Sequence, residues 1–174
     1  MEFTATERDA KRNFLRNDWG SIDFERTDQA LKAPAPELEK PCAPGVRTIE
    51  LTKYERWKFS ATSLVDAILN RQSRRKYRAE QISLDELSFL LYATQGVRRS
   101  SAKFSLRTVP SGGARHPFET YIFVERVEGV PRGLYRYLPL EHRLCEVVAY
   151  REGLETELDA ATLGQFWEAA VYFI

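Results

Sequence analysis

Pro110-Ser111-Gly112-Gly113-Ala114-Arg115-His116-Pro117 runs directly into Phe118-Glu119-Thr120-Tyr121-Ile122-Phe123-Val124, and this junction constrains the fold more than any other stretch. Ser111 to Ala114 carry little side-chain bulk and lie between two prolines, so they form a loop rather than the interior of a helix or strand. Backbone N–H groups in such a loop can approach a flat or charged ligand closely. The following run is β-branched and aromatic, which predicts a strand over 118–127, with Thr120–Val124 apolar enough to be central in a sheet. A Gly-Gly loop on the lip of a core strand is a place to hold a cofactor. A tight turn before a strand is the commoner reason for two adjacent glycines, so this loop needs a second element to give it meaning.

The second element lies forty residues earlier. Ser63 is placed to cap a helix through about Asn70, with Leu64, Ala67, Ile68 and Leu69 as its apolar stripe. The helix ends in Arg71-Gln72-Ser73-Arg74-Arg75-Lys76-Tyr77-Arg78, where five positive charges fall in eight residues. One reading of such a run is a solvated surface or a nucleic-acid patch. The sharper reading is an anion site, because a hydroxyl interleaved with guanidinium groups offers forked donors suited to phosphate.

At 174 residues the chain is long enough for one ordinary domain and hardly for two. An apolar fraction of 43% supports a core, and a net charge of +1 excludes a molecule that binds nucleic acid through its overall field. No run of eighteen apolar residues predicts a transmembrane helix, and residues 1–16 lack the apolar centre of a signal peptide. The expectation is a soluble, cytoplasmic protein without a membrane or nucleic-acid partner. Cys42 lies in a Pro-rich linker and Cys145 in a strand-like run. A disulfide is one option, but two free thiols in a reducing compartment is the preferred reading. Neither has a Cys or His neighbour at metal spacing that completes a ligand set, so no metal is expected.

Residues 1–60 read as an N-terminal extended arm. A short helix is expected within residues 1–16, whose large apolar groups are Phe3, Phe14 and Leu15. Residues 17–60 have no clear period, and Ala33–Pro36 and Pro41–Gly45 are stiff and extended. Trp19, Phe24, Tyr54, Trp57 and Phe59 are aromatics by which such an arm docks on a domain or partner subunit. From residue 61 onward the pattern is that of a domain. Ser83 and Glu86 form a capping box that opens a helix. Leu84, Leu87, Leu90, Leu91 and Ala93 are its apolar stripe, and Gly96 ends it. Residues 97–109 read as a basic loop that brings Arg98, Arg99, Lys103 or Arg107 toward the same anion. Gly133–Leu138 and Arg143–Val148 read as a hairpin turning over Pro139–His142, with Tyr135 and Tyr137 on one face. A helix over 152–163 and Phe166-Trp167-Glu168-Ala169 lead to a last apolar run, Ala170–Ile174. An apolar, β-prone end without a polar tail is an edge that needs cover, and it predicts a fragment of a longer domain.

These segments resemble a known family. Arg71-Gln72-Ser73-Arg74-Arg75-Lys76-Tyr77 is similar to the Arg-Arg-Ser-x-Arg-x-Phe signature that opens nitroreductase-superfamily domains. Leu84–Gln95 with Gly96 resembles the element that follows it. Arg107–Tyr121 looks like the R-x-x-PSAGARHP-x-E-x-Y block of the SagB/ThcOx-type branch, and Gly133-Leu134-Tyr135-Arg136-Tyr137 resembles its GLYxY strand. The resemblance covers about residues 62–174. It implies an α+β fold of the nitroreductase type, with an antiparallel-containing central sheet flanked by helices, incomplete at its C-terminus. It also implies an FMN-dependent flavoprotein oxidoreductase that works as a homodimer, with flavin at the subunit interface.

Carried over by position, Arg71 binds the FMN phosphate and Ser73 donates to the phosphate or ribityl region. Gln72 stands where the family has a second Arg. Arg75 lies near the pyrimidine edge of the ring, and Pro110, Ser111, Gly112 and Gly113 line the ring. No catalytic side chain is singled out. The family's later Gly-His-x-x-Gln-Asn helix, glycine loop and last strand have no counterpart here. Substrates implied are azoline rings in modified peptides or small electron-poor compounds, with a nicotinamide cofactor as one candidate electron partner. The competing readings are a non-catalytic remnant or binding module that keeps part of the fold and, less well supported, a nucleic-acid binder built on Arg71–Arg78.

Overall fold

The computed structural model describes residues 4–14, 16, 19–165 and 169–174. The expectations placed on Phe3, Leu15 and 166–168, and on the side chains of Phe14 and Trp19, lie outside the described residues. Two compact units emerge, Met1–Pro36 and Glu37–Ile174. The first contains helix α1 (Ala5–Phe14) and two short 3-10 turns. The second holds the sheet and everything that follows.

Strands β1 (Thr48–Glu50), β4 (Tyr121–Val124), β5 (Gly133–Leu138), β6 (Arg143–Ala149) and β7 (Val171–Phe173) form one antiparallel sheet in the order β1-β6-β5-β4-β7. The β5–β6 hairpin forms as its two apolar runs predict. His142 closes the turn at φ 53°. Strand β4 is shorter than the predicted 118–127. Phe118 stays outside it and 81% exposed, because pairing with β5 begins only at Tyr121↔Arg136.

Period-two alternation gives the sheet two buried faces. One carries Ile122, Val124, Tyr135, Tyr137 and Leu144. Helix α3 (Leu84–Gln95) covers that face with Leu87 and Leu91, both fully buried. Its capping box is complete, since Ser83 Oγ accepts from Glu86 N while Glu86 Oε2 accepts from Ser83 N at 2.8 Å. Leu90 of the predicted stripe remains 42% exposed, on the side of α3 turned from the sheet. Gly96 ends the helix at φ −60°, so left-handed freedom is not what it supplies. An added Cβ would lie 2.4 Å from the Tyr92 ring and 2.5 Å from its carbonyl oxygen, so the position demands a missing side chain. Helix α4 (Leu154–Ala161) falls within the predicted 152–163.

Two expectations are corrected. Residues 97–109 contain a hairpin rather than a loop: β2 (Val97–Ser100) pairs with β3 (Ser105–Arg107). Its charged residues hide β-character that pairing brings out. Cys42 and Cys145 form a disulfide, not two free thiols. The unit that holds the sheet spans Glu37–Ile174, and residues before 61 contribute to it. Ile49 and Leu51 join the core cluster, and Thr52 N donates to buried Ser88 Oγ at 2.9 Å. Trp57 sits in an aromatic group with Tyr54, Phe59, Phe89 and Tyr92, at ring separations of 5.4 to 6.4 Å.

Candidate functional site

Helix α2 (Leu64–Asn70) is capped by Ser63 Oγ, which accepts from Asp66 N at 3.0 Å. Its apolar residues are bare among the described residues: Leu64, Val65, Ile68 and Leu69 are 64% to 76% exposed. Arg71 takes an extended conformation and ends the helix. Residues 71–78 then run without helix or strand, all exposed. Arg71 Nη1 reaches Ser73 Oγ at 3.5 Å, which brings these two predicted phosphate donors together. Gln72 lies between them. Among the described residues, Arg71, Arg74, Arg75 and Lys76 make no ion pair, whereas Arg78 faces Glu80 at 3.6 Å. Four uncompensated cations with a hydroxyl among them attract an anion. The far end of the segment is anchored beneath β4: Arg126 Nη2 donates to Arg78 O, and Ile82 bridges Val127. Tyr77 lines a cavity of about 360 Å³ with Leu158, Val171 and Tyr172, beside strand β7.

The Pro110–Pro117 loop is set by its two ends. At the entrance, Thr108 N donates to Gly96 O and Thr108 Oγ1 to Tyr92 O, both at 2.9 Å, which ties the loop to the end of α3. At the exit, Arg136 Nη1 donates to Glu119 Oε2 at 2.8 Å. Between them, Gly113, Ala114 and His116 all have positive φ (62°, 54° and 44°). Two non-glycine residues in the left-handed region mark a loop whose shape is imposed by its surroundings. Ser111 Oγ accepts from His116 N at 2.8 Å and closes it. Gly112 faces open space, and the nearest atom to a Cβ on Gly113 would be Arg115 Cγ at 3.8 Å. Pro110, Gly112 and Gly113 are exposed and Ser111 half-buried. The loop therefore presents a bare backbone surface, which fits a planar ring.

Partial burial, and then the charge of Arg107, hold the His116 imidazole below its ordinary range, so the ring is neutral at pH 7. Arg107 itself points inward. It donates to Gln95 Oε1, Ser105 Oγ and Leu38 O, and so is committed to structure rather than to an exposed anion. Arg98 lines a different cavity, of about 300 Å³, with Tyr54, Tyr92 and His142. Among the described residues, no hydrogen bond or ion pair joins Arg71–Lys76 to Pro110–Gly113.

A family model described as the nitroreductase family matches residues 68–174, more than half of the chain and both segments of the site. The chain belongs to the nitroreductase family. MJ1384 of Methanocaldococcus jannaschii, assigned as a nitroreductase, is 37% identical over 97 residues, covering 56% of this chain and 48% of that protein. The trifolitoxin-processing protein TfxB of Rhizobium leguminosarum bv. trifolii is 36% identical over 89 residues, covering 48% of this chain and 24% of that protein. The matches thus span about half or less of these curated relatives. An assigned nitroreductase from Ralstonia eutropha superposes with a TM-score of 0.54 at 26% identity, over 80% of this chain and 60% of that one. A second, from Anabaena variabilis, shares the fold with a TM-score of 0.52 at 23% identity, over 75% of this chain and 27% of that one. These superpositions agree with the α+β nitroreductase-like fold read from the sequence.

Arg136, which holds the exit of the loop through Glu119, was not recognised in sequence as part of the site. Arg136 is 4% exposed, on the sheet face opposite the tyrosines, and it reaches Glu119 as well as Lys40 O and Pro41 O. An arginine in an otherwise apolar strand, Gly133-Leu134-Tyr135-Arg136-Tyr137, was the available signal, since a buried cation requires a partner.

Proposed function

We propose that this nitroreductase-family chain is part of an FMN-dependent oxidoreductase of the SagB type, cytoplasmic and homodimeric. The observation that carries the reading is the cluster Arg71, Arg74 and Arg75 after α2, which make no ion pair among the described residues, with Arg71 reaching Ser73 Oγ. Arg71 and Ser73, with Gln72 beside them, hold the phosphate. Arg75 lies at the pyrimidine edge, where its charge favours an anionic reduced ring. Pro110, Ser111, Gly112 and Gly113 offer backbone and small side chains to the ring face, and the open space beside Gly112 suits this. When bound, FMN supplies hydride exchange at its N5. Neutral His116, beside Arg107, can donate or accept one hydrogen bond at the loop without adding charge.

A second copy is the natural cover for Leu64, Val65, Ile68 and Leu69, which otherwise leave an apolar stripe in water. Similarity to a trifolitoxin-processing protein supports a modified peptide, with azoline rings to be oxidised, as the substrate class. Similarity to an assigned nitroreductase supports reduction of small electron-poor compounds as the second reading, with a nicotinamide cofactor as electron donor.

The test is flavin titration of the purified protein. Saturable quenching of FMN fluorescence and a yellow protein with a flavin absorption band are expected. A colourless protein that does not quench FMN at micromolar concentrations removes the cofactor and the oxidoreductase reading with it.

A further inference from the structure

Residues Leu38 to Cys42 form a strap across the sheet face that α3 does not cover, fastened to β3, to the β5–β6 turn, to β5 and to β6. Arg107 Nη2 donates to Leu38 O at 3.4 Å. Glu39 Oε2 accepts from Leu140 N at 2.8 Å. Arg136 Nη2 donates to Lys40 O at 2.8 Å and to Pro41 O at 2.9 Å. Cys42 is bonded to Cys145. In register, Arg136 lies directly opposite Cys145 across the β5–β6 ladder, so the buried cation and the disulfide share one face of the sheet.

Two of these fasteners also border the cofactor loop. Arg107 stands three residues before Pro110, and the other arm of Arg136 holds Glu119 at the loop's exit. The strap and the exit of the loop are thus two loads on one guanidinium group, that of Arg136. Three of the four polar fasteners are part-buried bonds from guanidinium groups and one is an exposed backbone-to-carboxylate bond, while the disulfide is the covalent one.

We infer that the Cys42–Cys145 pair is a redox-sensitive latch: oxidised, it holds the Leu38–Cys42 strap on Arg136 and keeps the Pro110–Glu119 loop ordered; reduced, it frees both. The reductant is a dithiol. Its thiolate attacks Cys42 Sγ, since Cys42 is half-exposed while Cys145 is 5% exposed. The Cys42–Cys145 bond breaks, and Cys145 leaves as a thiolate that takes up a proton. The second thiol of the reductant then closes on the mixed disulfide and releases Cys42 as a thiol. The cysteine pair gains the two electrons and two protons that the dithiol loses. Without the covalent tie, Lys40 O and Pro41 O can leave Arg136, and Leu38 O can leave Arg107. Water then competes for the Arg136 guanidinium that had set the exit of the loop. In a reducing compartment a cysteine pair of this kind is transient rather than permanent. The consequence for cofactor binding rests on the flavin reading; the latch itself does not.

Hydrogen exchange with mass spectrometry on the full chain tests this, comparing air-oxidised protein, protein in dithiothreitol, and Cys42→Ser in both conditions. Thiol titration should count no free thiol in the oxidised protein and both after dithiothreitol. Exchange over 37–46 and over 110–119 should accelerate about tenfold on reduction, with β5 and β6 little changed. Cys42→Ser should match the reduced protein and ignore dithiothreitol, and Cys42→Ala should do the same. Two free thiols after air oxidation overturn the latch. So does a strap that opens on reduction while 110–119 exchanges as before. FMN titration separates the two ideas. A loop that loosens without weakening FMN leaves the latch standing and counts against the flavin assignment.

Discussion

The Arg136 guanidinium donates to the Glu119 carboxylate at 2.8 Å from the middle strand of the sheet, with 5% of the arginine side chain and 34% of the glutamate side chain exposed. The cation is buried and its partner only half so. Removing the cation lets Glu119 hydrate but strands the carbonyls of Lys40 and Pro41. Arg136→Met should therefore cost about 2–4 kcal/mol of unfolding free energy in a urea titration. Glu119→Gln, which keeps an acceptor, should cost about 1 kcal/mol. Equal stability of Arg136→Met and wild type would show that the strap is not held by this side chain.

Arg71 and Arg75 are exposed and touch no carboxylate among the described residues. Their loss should leave folding untouched and weaken phosphate binding. Arg71→Ala and Arg75→Ala are expected to lower FMN affinity about tenfold each, by fluorescence quenching, with unfolding free energies within about 0.5 kcal/mol of wild type. Unchanged affinity in Arg71→Ala would take the phosphate away from the end of α2.

His142 gives a pH dependence with a defined sign. Tyr137 OH lies 2.7 Å from Nδ1, and Nε2 lies 3.1 Å from Thr52 O. A carbonyl only accepts, so Nε2 carries the proton and Nδ1 accepts from Tyr137. Burial holds the imidazole below its ordinary value of 6.5; nearby Lys53 adds to this, and the bond to Thr52 opposes it. The unfolded chain therefore binds this proton at a higher pH than the folded one. The stabilisation is complete above pH 6.5 and is lost as pH falls below it. Glu39, raised above 4.5 chiefly by burial, works in the opposite direction as the solution is acidified. The readout is thus a difference: His142→Gln should lose less stability than wild type between about pH 7.5 and about pH 5.5. Parallel curves for the two proteins would contradict the buried neutral imidazole.

Gly96 tests the junction between α3 and the β2–β3 hairpin. A methyl group there meets the Tyr92 ring and carbonyl at 2.4 and 2.5 Å, and the Gly96 carbonyl accepts from Thr108 N at the entrance to the loop. Gly96→Ala should cost about 1–3 kcal/mol in chemical denaturation. A neutral substitution would mean that Tyr92 can swing aside freely. Gly113→Ala is the contrasting case: there is room for the methyl, and only the positive φ opposes it, at about 1 kcal/mol.

Much of the scaffold was legible along the chain. Ser83 and Glu86 capped α3 as their spacing required, because a capping box satisfies two local backbone donors and needs no distant partner. The β5–β6 hairpin followed from two apolar runs around a short turn, and the nitroreductase signature segments kept their order. Less visible was β1, three residues whose strand character comes from pairing with β6. The β2–β3 hairpin was hidden by its charges for the same reason. The stripe of α2 was legible as apolar, but its exposure was not, since periodicity identifies a face and not what lies on it.

Local chemistry along the chain was enough to specify where helices start, which stretches alternate into strands, and that a cationic segment and a side-chain-poor loop exist. Contacts between residues far apart in sequence settled the rest: Cys42 bonded to Cys145, 103 positions away, Arg136 turned to the strap, and Arg107 drawn inward. The division has a plain cause. A cap or a hairpin is satisfied by neighbours a few residues off, whereas a buried cation or a thiol finds its partner only when the sheet has brought distant segments to one face.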